Sequence, residues 1–312
     1  MKFLVVLTAI VVATIWKQDL DRIDDSWFFK LRANIERMLA GRQADDNSRW
    51  FIIFLLTYAV PLILLALVLW LSAGLLFGLI TILAHVFVLL MAFDRIQPGE
   101  LARQFQKHWD ESDYEACYLY LERELGCTEL PLVDDVEALH TTFKRLYLYR
   151  CFERMFVTLF WYLIAGPLGV LFAYISYQLR YDVLTGSESP EVDPVDGIIK
   201  LLEWLPLRLL GLTLGLVGNF ENCFNRLQRI GFSAEVSADQ AVYEYTLCAL
   251  GEADQENAQQ PRENSPSAKQ IPADEYRTQV VGEIESLQRL MQRSQFAWLT
   301  VFALVTVLGW QF

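Results

Sequence analysis

The sequence predicts an all-α, multi-pass helical membrane protein, and three observations carry that reading. Residues 51–93 run without a single Asp, Glu, Lys or Arg, whereas about 20 apolar residues suffice for a helix to cross a bilayer. Hydrophobic residues make up 54% of the 312, with a mean hydropathy of +0.27, yet 21% are charged, so a substantial polar mass accompanies the lipid-facing one. In the polar stretches, apolar residues recur at steps of three and four, the spacing of amphipathic helices. The predicted fold class is therefore an α-helical membrane protein with cytoplasmic amphipathic helices and a kinked or re-entrant segment.

Lipid-exposed backbone must satisfy its own hydrogen bonds, so 51–93 reads as a hairpin of two crossings, at about 51–71 and 74–93. Ser72 and Gly74 mark the break, since both are weak helix formers. Residues 3–16 form a short apolar helix ahead of the hairpin. No small-x-small cleavage site precedes Lys17, which favours a retained helix over a signal peptide. Between them, Leu20, Ile23, Trp27, Leu31, Ile35 and Met38 trace the buried stripe of an amphipathic helix, with Asp24 and Asp25 opposite and Gly41 as its stop.

After the hairpin, helices are expected between breaks at Gln97-Pro98-Gly99, Ser112-Asp113 and Gly126. Leu101, Phe105 and Trp109 face one way on the first; Tyr114, Cys117, Tyr118, Leu121 and Leu125 do so on the second. A third helix over 134–154, with Val136, Leu139, Phe143, Leu146 and Tyr147 as its stripe, runs into a crossing at 155–177. Gly166 and Pro167 predict a kink there, because proline lacks the backbone donor and clashes with the preceding turn. Lys144, Arg145, Arg150 and Arg154 sit at its entrance. His108 and His140 are lone histidines without metal-ligand spacing.

Residues 198–220 are leucine-rich but contain Glu203 and Arg208, with a crossing or deep re-entrant expected over 203–220. Pro206 is expected to break the helix just before the arginine, leaving a half-helix of the kind that lines buried pockets. Gly169, Gly211 and Gly215 allow close approach of neighbouring segments. Arg208 either snorkels to an interface or sits in a polar internal site. Glu203 and Arg208 form either a structural ion pair or part of a ligand site. The predicted layout is a helical membrane domain over 1–250, a flexible linker over 251–275 that is rich in polar residues and proline, and a C-terminal helix and anchor over 276–312. In that last part Val280, Ile284, Leu287 and Met291 form the stripe and Trp298 and Trp310 flank the apolar end. Residues 17–50, 94–154 and 221–295 hold 22 of the 26 Lys and Arg, which places these polar regions in the cytoplasm.

Several chemistries find no motif: no phosphate-binding loop, no H-E-x-x-H and no nucleophile elbow is present. Five cysteines without a C-x-x-C pair make neither a disulfide framework nor a zinc site. The net charge of −12 argues against a nucleic-acid partner. Asp134-Asp135 reads as a helix cap.

Three stretches carry a family resemblance: WKQDLDRIDDSWFFKLR at 16–32, RLYLYRCFERMFVTLFWYLIAGPLGVLFAYISYQLR at 145–180, and DGIIKLLEWLPLRLLGLTLGLVGNFE at 196–221. They resemble the AmpE family, inner-membrane proteins associated with β-lactamase regulation in Gram-negative bacteria. The most specific piece is E-W-x-P-x-R, formed by Glu203, Trp204, Pro206 and Arg208. The layout is also similar to cobalamin-biosynthesis membrane synthases of the CobD/CbiB type, through Gly166, Gly169, Tyr174, Pro206, Arg208 and Leu209. Ile175 and Gln178 replace the arginine and asparagine of that second pattern, and Arg180 or Tyr181 stands near its expected aspartate, removing natural partners of a magnesium nucleotide.

The first resemblance implies a non-enzymatic signalling modulator of the bacterial inner membrane, acting in β-lactamase induction or the response to cell-wall stress, with no cofactor. Its partners would be the lipid bilayer and a cytoplasmic or membrane protein, with an oligomer possible. The alternative, implied by the second, is an amide-forming synthase using Mg-ATP, with Arg208, Glu203 and Arg150 or Arg154 around a phosphate or carboxylate and Tyr174 in the same site.

Overall fold

In the computed structural model of the chain, the described residues are 2–15, 26–40, 46–72, 78–93, 98–125, 131–132, 135–185, 192–220, 223–224, 227, 236–251 and 273–308. Every long regular element among them is a helix: α1 (Lys2–Ile15), α2 (Ser26–Ala40), α3 (Asp46–Ser72), α4 (Leu79–Ala92), α5 (Pro98–Asp110), α6 (Tyr114–Leu125), α7 (Val136–Cys151), α8 (Thr158–Thr185), α9 (Val192–Val217), α10 (Ala238–Leu250) and α11 (Ala273–Val307). A π-helical stretch, Phe152–Val157, joins α7 to α8. The chain folds into two compact units. One comprises Met1–Arg95, Val157–Leu202 and Phe302–Phe312; the other comprises Ile96–Phe156 and Glu203–Val301.

The first unit gathers apolar helices, and single polar contacts fix which helix lies against which. Tyr58 of α3 donates to Ser176 of α8 at 3.1 Å, and its ring meets Phe172. His85 of α4 lies 2.9 Å from the Tyr162 hydroxyl of α8. Ser72 and Thr81 join α3 to α4 at 3.0 Å. On α2, Ile35 and Leu39 bury against Ile53 of α3. Phe28 is fully buried and Met38 is 83% exposed, so the buried face of α2 passes through Phe28, Ile35 and Leu39 and the expected stripe end at Met38 is corrected.

Pro167 lies in α8 of this unit and Pro206 in the part of α9 that belongs to the second, and they behave differently. At Gly166 the backbone takes φ 64° and ψ −150°, a true break inside α8; this region of backbone space is essentially open to glycine alone. A β-carbon at Gly169 would sit 2.8 Å from the Trp161 carbonyl oxygen, so the turn after the break closes only on a residue without one. Pro206, by contrast, lies inside an unbroken α9, which corrects the expected half-helix.

A proline removes the donor for the carbonyl four residues earlier, and each of these two carbonyls has found a side chain. Lys2 Nζ donates to Leu163 O at 3.1 Å, and Trp161 Nε1 donates to Leu202 O at 3.1 Å. Such a replacement donor removes the cost of a buried unsatisfied carbonyl, and this is the physical reason that α9 runs through its proline.

Among the described residues, two helical stretches are long and apolar enough to cross a membrane, Arg49–Ser72 and Val136–Arg180; the apolar helices Lys2–Ala13 and Leu79–Ala92 are shorter. At 1.5 Å per residue the second stretch spans roughly 68 Å of contour, against a hydrocarbon layer of about 30 Å. Its apolar part is the 155–177 expected from the sequence, and α7 lies outside it. The hairpin break expected at Ser72 and Gly74 falls at 73–77, outside the described residues; α4 starts after Gly78, which is left-handed at φ 79°. Most of the expected linker, the stretches 16–25 and 126–130, and the end from 309 also lie outside them. α11 begins at Ala273 and continues unbroken to Val307.

The second unit is a helical body around an aromatic core. Leu101, Phe105 and Trp109 of α5 are fully buried, as the sequence spacing predicts, and Phe105 stacks on Phe143 of α7 with ring centroids 3.7 Å apart. Ser112 adopts φ 57° in the turn to α6, and Asp113 then caps α6 through the Ala116 N–H. Val280, Ile284, Leu287 and Met291 line the buried face of α11.

Two stability predictions follow from the proline sites. Gly166→Ala should lower the unfolding free energy by about 1–3 kcal/mol, the usual cost of forcing such a conformation on another residue. Trp161→Phe should cost about 1–3 kcal/mol by orphaning the Leu202 carbonyl. In a Pro206→Ala background the helix regains its own donor, so the same Trp161→Phe change should cost markedly less. Unfolding midpoints of the four proteins in that double-mutant cycle check this; equal costs in both backgrounds would refute the capping role.

Candidate functional site

α7 is the polar spine of the second unit. Asp135 caps its first turn by accepting from the Ala138 N–H at 2.9 Å. Its buried face is broad: Leu139, His140, Phe143, Lys144, Tyr147, Leu148 and Cys151 are all buried. Two polar residues therefore share the core face with the aromatic stripe, and each turn of α7 sends a polar group to a different neighbour. Lys144 Nζ pairs with Glu283 of α11 at 3.0 Å. Arg145 reaches Asp239 of α10 at 3.1 Å. Tyr149 donates to Glu203 of α9 at 2.7 Å. Arg150 donates to the Leu125 carbonyl at the end of α6 at 3.1 Å and pairs with Glu153 of the π stretch at 3.0 Å.

These contacts place the residues that the sequence singled out. Glu203 is 4% exposed, an acceptor for Tyr149. Arg208 lies with its guanidinium carbon 4.0 Å from the centroid of the Trp204 ring and donates to the Trp204 carbonyl. Glu203 and Arg208 are five residue steps apart, a rotation of about 140° around α9, and the two side chains meet different partners. Arg150 is engaged with Leu125 and Glu153, and Arg154 lies within electrostatic reach of Cys151 and Tyr120.

Tyr174 belongs to the first unit, where it stacks on Trp27 at 6.2 Å. Gly211 lies against the Tyr245 ring of α10 and the Leu227 side chain, and Gly215 against Cys223, each too close to admit a β-carbon without movement. Among the described residues no three His, Cys, Asp or Glu side chains come together as a metal site.

Sequence reasoning missed the cluster of His140, Lys144 and Glu283. His140 is 3% exposed, lies against Trp109, and has its Nε2 3.8 Å from the Glu283 carboxylate, beyond hydrogen-bond range. Burial first, and then the adjacent Lys144 charge, push His140 down to about 3. Burial pushes the Glu283 carboxyl up, but Lys144 outweighs it and the net direction is down. The available signal was position: His140 and Lys144 each follow a stripe residue, Leu139 and Phe143, and Glu283 precedes Ile284. Neither pattern says which helix carries the partner.

The cluster predicts acid sensitivity. Unfolded His140 takes a proton as pH falls through about 6.5, whereas folded His140 stays neutral to far lower pH, so stability is complete above that value and declines below it. Glu283 acts in the same direction below its ordinary carboxyl range, because the folded form resists protonation. The melting midpoint should fall between pH 7.5 and 5, and His140→Phe should flatten that fall; parallel pH profiles would exclude His140 as its source. Lys144→Met should cost about 3 kcal/mol, the low end for breaking a buried pair, because 24% of the Glu283 side chain is exposed. Lys144→Met with Glu283→Leu should recover most of that loss in chemical unfolding.

Comparison with known proteins bears on residues 5–248, which span α1 to α10 and include the α7 spine. No curated protein and no solved structure matches the chain. The family of regulatory signalling modulator proteins AmpE matches over those residues. That match covers most of the chain, and the protein belongs to the AmpE family.

Proposed function

We propose that this protein is an integral membrane signalling modulator of the bacterial inner membrane, acting in β-lactamase induction or the response to cell-wall stress. The regulatory role comes from the family, and the observation that carries the membrane reading is α3. Only 28% of its apolar stretch is buried, against 61% in Val136–Arg180. Leu55, Ile63, Leu64, Leu67, Trp70 and Leu71 all project outward from it. A core helix of a soluble protein would hide these residues, whereas a bilayer solvates them.

Leu79, Leu83 and Phe87 of α4 and Leu4, Leu7 and Val11 of α1 add outward apolar surface to the same unit. The polar helices α5, α6, α7 and α10 would then lie in the cytoplasm and offer the partner-binding surface. The alternative synthase reading rests on the second resemblance alone, and the structure turns Glu203, Arg150 and Arg208 each toward a protein partner.

Three measurements test this. The protein should remain in the membrane pellet after alkaline carbonate extraction, and release would overturn the membrane reading. Deleting the gene should change β-lactamase induction by a β-lactam, with restoration by the wild-type copy; unchanged induction would remove the stress assignment. Calorimetry of purified protein with Mg-ATP should give no binding heat, whereas micromolar binding weakened by both Arg208→Ala and Glu203→Gln would establish the synthase alternative.

A further inference from the structure

One face of α9 combines features that the signalling role does not use. Trp204, Leu205, Leu209, Leu212 and Leu216 are 53%, 40%, 38%, 40% and 68% exposed. With Arg208 they follow helical spacing and form one outward stripe. The opposite face is the packed one, where Leu210 and Leu214 are fully buried and Gly211 meets the Tyr245 ring. Arg208 is the sole charged residue between Trp204 and Val217.

A cation on an apolar stripe is costly in lipid unless an anion or an interface accompanies it. The indole under the Arg208 guanidinium is a side chain suited to the headgroup level, and the stacked arrangement orients the planar donor fork that matches phosphate oxygens. From Arg208 to Val217 the helix rises about 13 Å, close to one leaflet of a hydrocarbon layer about 30 Å thick. A second observation lies on the packed side. Tyr245 is 1% exposed, its hydroxyl has no hydrogen-bond partner among the described residues, and it acts electrostatically on Arg208. A buried hydroxyl without an acceptor is destabilising, and an anion brought to Arg208 supplies one.

We propose that α9 carries a seat for one anionic phospholipid, with Arg208 over Trp204 taking the phosphodiester, Tyr245 as a further donor, and Leu209, Leu212 and Leu216 holding an acyl chain. The seat rests on the membrane reading given above. It requires a lipid because the apolar stripe continues from the cation for the length of one leaflet; free phosphate would use Arg208 and leave the leucines uncovered.

The test is thermal unfolding of the full chain in detergent with added phosphatidylglycerol, phosphatidylcholine or inorganic phosphate. Phosphatidylglycerol should raise the midpoint by several degrees in a saturable manner, with little effect from the other two. Arg208→Gln should abolish the rise and Arg208→Lys should reduce it, since an ammonium lacks the planar fork. Tyr245→Phe should leave the lipid-free midpoint unchanged or higher while shrinking the rise, which keeps the test meaningful if Arg208→Gln folds poorly. Equal shifts with phosphatidylcholine, an undiminished rise in Tyr245→Phe and Arg208→Gln, or the same shift with inorganic phosphate would each overturn the seat. Carbonate extraction of the same proteins separates the two readings: a washed-out wild type defeats the membrane reading, whereas a retained wild type without lipid selectivity defeats the seat alone.

Discussion

Backbone carbonyls deprived of their helical donor set the terms for the first unit. An apolar helix in lipid has no water to satisfy such a group, so a donor from another part of the chain removes the cost of a proline. Here Lys2 reaches the carbonyl orphaned by Pro167, and Trp161 reaches the one orphaned by Pro206. The first contact ties α1 to α8, and the second ties α8 to α9. Two helices far apart in sequence are thus held to the same stretch of α8, Trp161 to Leu163, by the same requirement. The break at Gly166 sits three residues beyond that stretch, where the left-handed backbone of glycine lets α8 change course.

In the second unit the constraint is different, because polar side chains are buried on the core face of one helix. α7 meets α6, α9, α10 and α11 through hydrogen bonds or ion pairs from successive turns. Buried pairs of this kind add little to stability relative to well-packed apolar residues, but removing one partner is costly. Their effect is to specify neighbours: apolar faces tolerate rotation and sliding, whereas Lys144 has one low-energy position opposite Glu283. The arrangement also crosses the limit of the family match. α7 lies within residues 5–248 and α11 lies beyond them, yet the Lys144–Glu283 pair joins the two.

The glycines show a third use of missing side-chain volume. Gly211 and Gly215 bring α9 close to the Tyr245 ring and to Cys223, and this close approach leaves the leucines of α9 pointing outward. The outward stripe is therefore a consequence of the packed one: small residues on one side decide which large residues remain for the surroundings.

The sequence alone determined the helices and most of their buried faces, because periodicity and turn residues act locally. Leu101, Phe105 and Trp109 were legible as one face, as were Val280, Ile284, Leu287 and Met291, and Ser112-Asp113 marked a turn through its own backbone and capping chemistry. The kink at Gly166 was equally legible, since glycine before proline removes both a steric restraint and a donor. Only the tertiary structure decided that Pro206 would not break α9, because the indole that rescues its carbonyl belongs to another helix. It also decided that Glu203 would turn to Tyr149 and Arg208 to Trp204, and that His140 and Lys144 would share a carboxylate from residue 283. Those outcomes depend on which faces meet across long sequence separations, and a one-dimensional pattern carries the face of each helix but not the identity of what lies opposite.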